Sequence, residues 1–173
     1  IGFKCCGALE YAFRQGIVHR DIKPANIMIV QGTDVKIADF GAAFLRTSQA
    51  VQTTALGSPF YMSPEQIEGG TLTHHSDMYS LGVVLYELLT GKRPFIADSI
   101  EGLVKKILHE NPAPPSSLYA GLPHAIDHVV LRAMGKKPER RSPTWTEFAV
   151  ALADVAQLVV PPDVIADSAK FLS

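Results

Sequence analysis

No stretch of the 173-residue chain approaches the roughly 18 consecutive apolar residues of a membrane span. A dominant charge is lacking too: 16 Lys and Arg against 17 Asp and Glu leave a net charge of −1. That gives no electrostatic case for nucleic acid or an anionic membrane as the main partner. Cysteine is scarce, and its two copies, Cys5 and Cys6, are adjacent and cannot staple distant segments. A reducing compartment fits them best, with the pair filling an apolar helix face. A zinc-binding pattern is missing as well. His124 and His128 stand at a spacing Zn²⁺ can use, but no third and fourth ligand follow in pattern, so they read as surface histidines. His74-His75 is weaker still. With 47% hydrophobic and 19% charged residues the chain is neither disordered nor fibrous, and it is long enough to bury one core. Neither an internal repeat nor a second domain is visible.

Helical and extended patterns fill most of the chain. Ile1, Cys5, Leu9 and Ala12 recur at helical spacing, and Gly16 is placed to close that helix in a left-handed conformation. Ile27 to Val30 and Val35 to Ile37 read as β-branched strands joined through Gln31-Gly32-Thr33-Asp34. Residues 42–63 show little periodicity, and a loop of that length inside a compact domain is usually functional or mobile. From Asp77 to Leu89 nearly every position is apolar, which predicts a buried central helix stopped by Gly91 and Pro94. Asp98 and Glu101 form a capping pair for a helix with Ile100, Leu103, Val104, Ile107 and Leu108 on one face. Pro112, Pro114 and Pro115 read as a stiff connector. A helix from His124 to Met134 ends at Gly135, and Thr144 with Glu147 predicts a capping box for a last helix carrying Phe148, Leu152, Val155 and Val159. Pro161-Pro162 ends it, leaving a tail.

Chemistry concentrates in Ile17-Val18-His19-Arg20-Asp21-Ile22-Lys23-Pro24-Ala25-Asn26-Ile27 and in Ile37-Ala38-Asp39-Phe40-Gly41. Moving a phosphoryl group needs a carboxylate to orient the hydroxyl, oxygen ligands for Mg²⁺ and a cation to offset charge on the transferred group. Asp21, Asn26, Asp39 and Lys23 supply that set. A hairpin between the two motifs would bring Asp39 back beside Asn26. A lone Asp or Lys in a polar loop is usually a solvated charge, so the weight lies on the ordered combination.

The two motifs resemble the catalytic and metal-binding loops of eukaryotic-type protein kinases. Gly57-Ser58-Pro59-Phe60-Tyr61-Met62-Ser63-Pro64-Glu65 is similar to the substrate-docking and Ala-Pro-Glu segment of Ser/Thr kinases, with Ser63 in place of Ala. Pro138-Glu139-Arg140-Arg141 resembles the family's late arginine motif. The resemblance covers about residues 1–160. Lys23 followed by Pro24 looks like the Ser/Thr subclass, and the phrasing looks bacterial-type.

The fold this implies is mainly α with a small β-hairpin (α+β), a protein-kinase-like large lobe over 1–160 followed by a tail over 161–173. The implied activity is transfer of the ATP γ-phosphoryl group to Ser or Thr hydroxyls of protein substrates. Asp21 orients the hydroxyl and takes its proton, Lys23 steadies the γ-phosphate, and Asn26 and Asp39 hold Mg²⁺, or Mn²⁺ in its place. His19 is structural beneath the loop near Phe40 and Gly41. Asp77 bonds the catalytic-loop backbone, Arg141 pairs with Glu65, and Ser58 contacts the catalytic Asp and Lys. Arg20 beside the catalytic acid implies activation by phosphorylation, with Thr53 and Thr54 favoured over Thr47 and Ser48. Dimerisation for autophosphorylation is compatible with this.

A Gly-x-Gly-x-x-Gly loop and a Val-Ala-Ile-Lys strand, both parts of the N-terminal lobe, are not in the sequence. The chain starts at Ile1, which reads as a piece of a longer protein with its N-terminal lobe missing. This piece is expected to be inactive alone, because activity needs that lobe. The expected location is cytoplasmic, with any membrane anchor outside this piece. The alternative is a non-catalytic pseudokinase or docking scaffold; the intact Asp21, Asn26 and Asp39 argue against it.

Overall fold

The computed structural model describes residues 1–30, 34–40 and 59–159. In chain order the elements are α1 (Gly2–Arg14), β1 (Ile27–Val30), β2 (Asp34–Ile37), α2 (Pro64–Ile67), α3 (His74–Thr90), α4 (Ile100–His109), α5 (Pro115–Leu118), α6 (His124–Ala133) and α7 (Trp145–Val159). Single 3₁₀ turns lie at Pro24–Asn26, Pro59–Tyr61 and Pro138–Arg140.

Helix α3 is the axis of the core. Every residue from Ser76 to Tyr86 is buried, as a helix apolar around its whole circumference requires. Thr73 starts it with a capping box: its side chain accepts the His75 amide, while Ser76 Oγ accepts the Thr73 amide. Gly91 at φ 68° ends it in the left-handed conformation that glycine tolerates best. The apolar sheath stops earlier than the sequence pattern suggests, because Leu88 is 54% exposed. Gly82 has a packing reason to be glycine. A Cβ there would lie 3.0 Å from Ala133 Cβ and from Met134 Cγ, so α3 meets the end of α6 almost backbone to side chain.

Around this axis, α1 touches α3, α7 and β2. Cys5, Cys6, Leu9 and Ala12 form its buried face, whereas Ile1, expected on that face, is half exposed. Burial pushes both thiols up, Cys5 to about 11, so they behave as small apolar side chains. Gly16 takes φ 76°, and the amides of Gly16 and Ile17 return to the carbonyls of Phe13 and Ala12. The turn aims the chain into residues 17–26. Helix α7 runs antiparallel to α1: Thr146 bonds Glu10, while Leu152 packs near Gly2. Only half of its expected capping box forms, through the Glu147 amide to Thr144 Oγ1 at 3.1 Å.

Two local expectations are corrected. Ser99, not Asp98, caps α4, its hydroxyl accepting the Gly102 amide at 3.0 Å. Pro115, read as part of a connector, occupies the first turn of α5, where its missing N–H costs nothing. Asp127 of α6 then accepts the Ser116 amide at 2.8 Å and so caps α5 from a distance.

Candidate functional site

The β-hairpin carries the site's two halves on its ends. β1 and β2 pair antiparallel with Ile27 opposite Ile37, and the Ala38 amide adds one more bond to the Asn26 carbonyl at 2.8 Å. Asp39 therefore leaves the hairpin one residue beyond the pairing that holds Asn26. It takes φ 63°, a left-handed conformation uncommon for a non-glycine residue. A salt bridge of 2.8 Å from Lys4 to Asp34 ties the far end of the hairpin to α1.

Residues 19–26 are fixed from below by α3. The Asp77 carboxylate accepts the His19 amide at 2.8 Å and the Arg20 amide at 2.7 Å. Burial pushes the Asp77 carboxyl up to about 6, and the two amides pull against that rise. Arg20 sits at φ 68°, again left-handed. Its carbonyl receives Gln66 Nε2 at 2.8 Å, so the residue is gripped on both sides. Arg20 Nε is buried and finds no hydrogen-bond partner among the described residues.

His19 is fully buried, and its bonds define its state. Nδ1 accepts the Asp21 amide at 3.3 Å, which leaves Nε2–H to donate to the Ala38 carbonyl at 2.8 Å. Its ring meets Phe40 edge-on, with centroids 4.6 Å apart. Both ring nitrogens are engaged with backbone, which fits a brace between the two loops rather than a proton acceptor.

Asp21, Lys23 and Asn26 converge. Lys23 Nζ lies 2.7 Å from Asp21 Oδ2, with both side chains partly open to solvent. Asn26 is 4% exposed and points its amide at two acceptors, the Asp21 carbonyl at 2.8 Å and Asp21 Oδ2 at 3.3 Å. Only the NH₂ end can serve two oxygens, so Asn26 presents Oδ1 on its other side. That oxygen and the Asp39 carboxylate are hard donors of the kind Mg²⁺ takes. The donor chemistry of the residues present therefore suits a divalent cation shared with phosphate oxygens. Among the described residues, the site included, no group of three or more His, Cys, Asp or Glu could hold a metal ion. The site thus offers Asn26 and Asp39 and needs phosphate or water oxygens to complete a coordination sphere. His124 stands 94% exposed, beside Ser116 and Asp127.

A second cluster braces the first. Ser63 and Gln66 form a reciprocal capping box that starts α2. Glu65, beside them, receives Arg141 in a two-point grip that also takes in the carbonyls of His75 and Gly135. Burial works to raise the Glu65 carboxyl, but the Arg141 guanidinium outweighs it and holds the group below the ordinary glutamate range. Arg141 also lies over the Tyr79 ring, 5.0 Å from its centroid.

Of the residues singled out in the sequence, His19, Arg20, Asp21, Lys23, Asn26, Asp39 and Phe40 come together, with Asp77, Glu65 and Arg141 beneath. Gly41, Ser58, Thr53 and Thr54, with Thr47 and Ser48, lie outside the described residues. Sequence reasoning missed Gln66; Ser63 three positions before it was a capping-box signal for α2, but nothing pointed to Arg20. It also missed the pairing of Tyr61 with Glu87, and of Glu87 with Arg93, whose guanidinium lies 4.0 Å from the Phe60 ring centroid.

Comparison with known proteins gives one answer. The family profile described as "Protein kinase domain" matches residues 3–153. Serine/threonine-protein kinase PknB of Mycolicibacterium smegmatis is 43% identical over 171 residues, spanning 95% of this chain and 27% of that protein. PknB of Mycobacterium leprae is likewise 43% identical, over 94% of this chain and 27% of its own length. A probable serine/threonine-protein kinase of Clostridium acetobutylicum is 39% identical over 90% of this chain and 24% of its own. The chain thus spans about a quarter of the length of these relatives. Among solved structures, a double mutant of the Mycobacterium tuberculosis PknI kinase domain superposes with a TM-score of 0.66 at 27% identity, covering 90% of this chain and 53% of that one.

Proposed function

We propose, from the premise that this chain belongs to the protein kinase domain family, that it is the catalytic large lobe of a serine/threonine kinase. The reaction is transfer of the ATP γ-phosphoryl group to a Ser or Thr hydroxyl of a protein. The observation that carries this reading is the convergence of Asp21, Lys23 and Asn26 on one point, with the backbone beneath pinned by Asp77.

Asp21 orients the incoming hydroxyl and accepts its proton through the carboxylate. Lys23, 2.7 Å from that carboxylate, is placed to offset negative charge on the transferred group. Asn26 Oδ1 and Asp39 would hold Mg²⁺, or Mn²⁺ in its place; the ion's chemistry is to neutralise phosphate charge and align the nucleotide. Met28 and Ile29 of β1 are 47% and 60% exposed, an apolar surface that a nucleotide base or a covering lobe can use. Arg20, whose Nε has no partner among the described residues, is the group to which a phosphorylated Thr53 or Thr54 would bind. Among the described residues no helix is long and apolar enough to cross a membrane.

The test uses the polypeptide expressed from the native gene, radiolabelled ATP with Mg²⁺, and a generic basic protein as acceptor. Transfer is expected in the wild type. Asp21→Asn should abolish it with nucleotide affinity largely kept, whereas Asp39→Ala should weaken nucleotide binding in Mg²⁺. Wild-type turnover in Asp21→Asn would overturn the assignment.

A further inference from the structure

Arg20 is a non-glycine residue held in a left-handed conformation directly before Asp21. Such a conformation persists only where its surroundings over-determine it. One restraint comes from α3, where Asp77 takes the Arg20 amide at 2.7 Å. The other comes from α2, where Gln66 Nε2 donates to the Arg20 carbonyl at 2.8 Å. The Arg20 carbonyl belongs to the same peptide plane as the Asp21 amide. Its direction therefore sets where the Asp21 side chain leaves the backbone.

Gln66 itself cannot swing freely. Its Oε1 accepts the Ser63 amide at 2.9 Å, its own amide reaches Ser63 Oγ at 3.4 Å, and the neighbouring Glu65 is gripped by Arg141. The two ends of one side-chain amide thus do different work. The oxygen closes the cap of α2, and the nitrogen spans 46 residues of sequence to the catalytic loop. Arg20, Asp21, Ile22, Tyr61, Met62 and Gln66 share a small cleft there.

We infer that Gln66 is a positioning residue for phosphoryl transfer: its amide nitrogen is a strut from the segment ending at Glu65 that fixes the Arg20–Asp21 peptide and thereby the aim of the Asp21 carboxylate. This rests on the kinase reading above. It couples order in residues 59–67 to alignment of the catalytic acid, so disturbance of that segment misaims Asp21 without touching nucleotide binding.

Gln66→Glu separates the two roles, because the carboxylate keeps an oxygen for the Ser63 amide and loses the donor to Arg20. In the native-gene polypeptide kcat is expected to fall about tenfold, the scale of one lost hydrogen bond, with KM for ATP unchanged and the Tm lowered by no more than a few degrees. In the same polypeptide, hydrogen exchange at the Arg20 and Asp21 amides should speed up several-fold while residues 79–86 of α3 stay protected. If Gln66→Glu melts without cooperativity, Gln66→Met replaces it at similar length. A kcat within twofold of wild type, or a fall in Tm that alone accounts for the loss, overturns the strut. Unchanged exchange at the two amides overturns it whatever the activity. A wild type that transfers no phosphate overturns the kinase reading instead and leaves exchange to decide the strut.

Discussion

Arg141 grips Glu65 with both ends of its guanidinium, Nη1 to Oε1 at 2.7 Å and Nη2 to Oε2 at 2.8 Å, across 76 residues of sequence. Arg141 is 2% exposed and Glu65 9%, so the pair is out of reach of solvent screening.

Removing one partner of such a pair strands the other. Arg141→Ala is expected to cost about 3 to 5 kcal/mol of stability. Arg141→Lys should recover little of it, because an ammonium cannot reproduce the fork. Denaturant titration of the three proteins checks this, and a lysine variant as stable as wild type would contradict the bidentate account.

Acid should act on fold and loop separately. Glu65 is depressed below its ordinary value of 4.5, so its contribution is fully present above that pH and is lost as pH falls through the depressed value. Asp77 is raised from 3.8 to about 6, the opposite sign: the folded form holds its proton more tightly, so protonation near pH 6 does not unfold the chain. It does turn one Asp77 oxygen into a hydroxyl, a much poorer acceptor for an amide of the 19–20 backbone than the carboxylate oxygen it replaces. Activity is expected to fall below about pH 6 while the Tm holds until the Glu65 range. Parallel pH–rate and pH–melting curves test it, and a Tm that drops in step with activity would sink the Asp77 account.

Phosphate on Thr53 or Thr54 is expected in the active protein, found by mass spectrometry. Combined Thr53→Ala and Thr54→Ala should lower activity, and Arg20→Ala should remove whatever activation phosphorylation gives. The reason is that a cation whose Nε finds no partner among the described residues, directly beside Asp21, favours an anion. Full activity in the double alanine variant would leave Arg20 without that role.

Gly82→Ala should cost about 1 to 3 kcal/mol by overpacking, since the new methyl would sit 3.0 Å from two atoms of the α6 end. Ala133→Gly in the same chain should return part of the loss by removing one of those atoms. No rescue in the double variant would place the strain elsewhere.

Much of this arrangement was legible in the sequence because it depends on local period and local chemistry. The apolar run from Met78 to Tyr86, the β-branched pairs of the hairpin and the glycines at 16 and 91 each encode their own conformation. The α4 cap was misjudged because Asp98 and Ser99 are adjacent and both can cap; the extended backbone at Ser99 decides it. Pro115 misled for a related reason, since proline both stiffens connectors and opens helices. The contact of Gln66 with Arg20 was illegible, because it joins residues 46 apart through a side chain whose local partner, Ser63, already explained it.

The bonds from Asp77 to the 19–20 backbone also impose a schedule on biosynthesis. His19 waits for an acceptor 58 residues downstream, and Glu65 waits 76 residues for its arginine. At roughly 5 to 20 residues per second the ribosome takes about 3 to 12 s to supply the first and about 4 to 15 s to supply the second. A nascent chain therefore carries Asp21, Lys23 and Asn26 well before it can hold them in place. The loop is held in place only after the segments that anchor it have emerged, and a polypeptide interrupted before Asp77 has these groups without their arrangement.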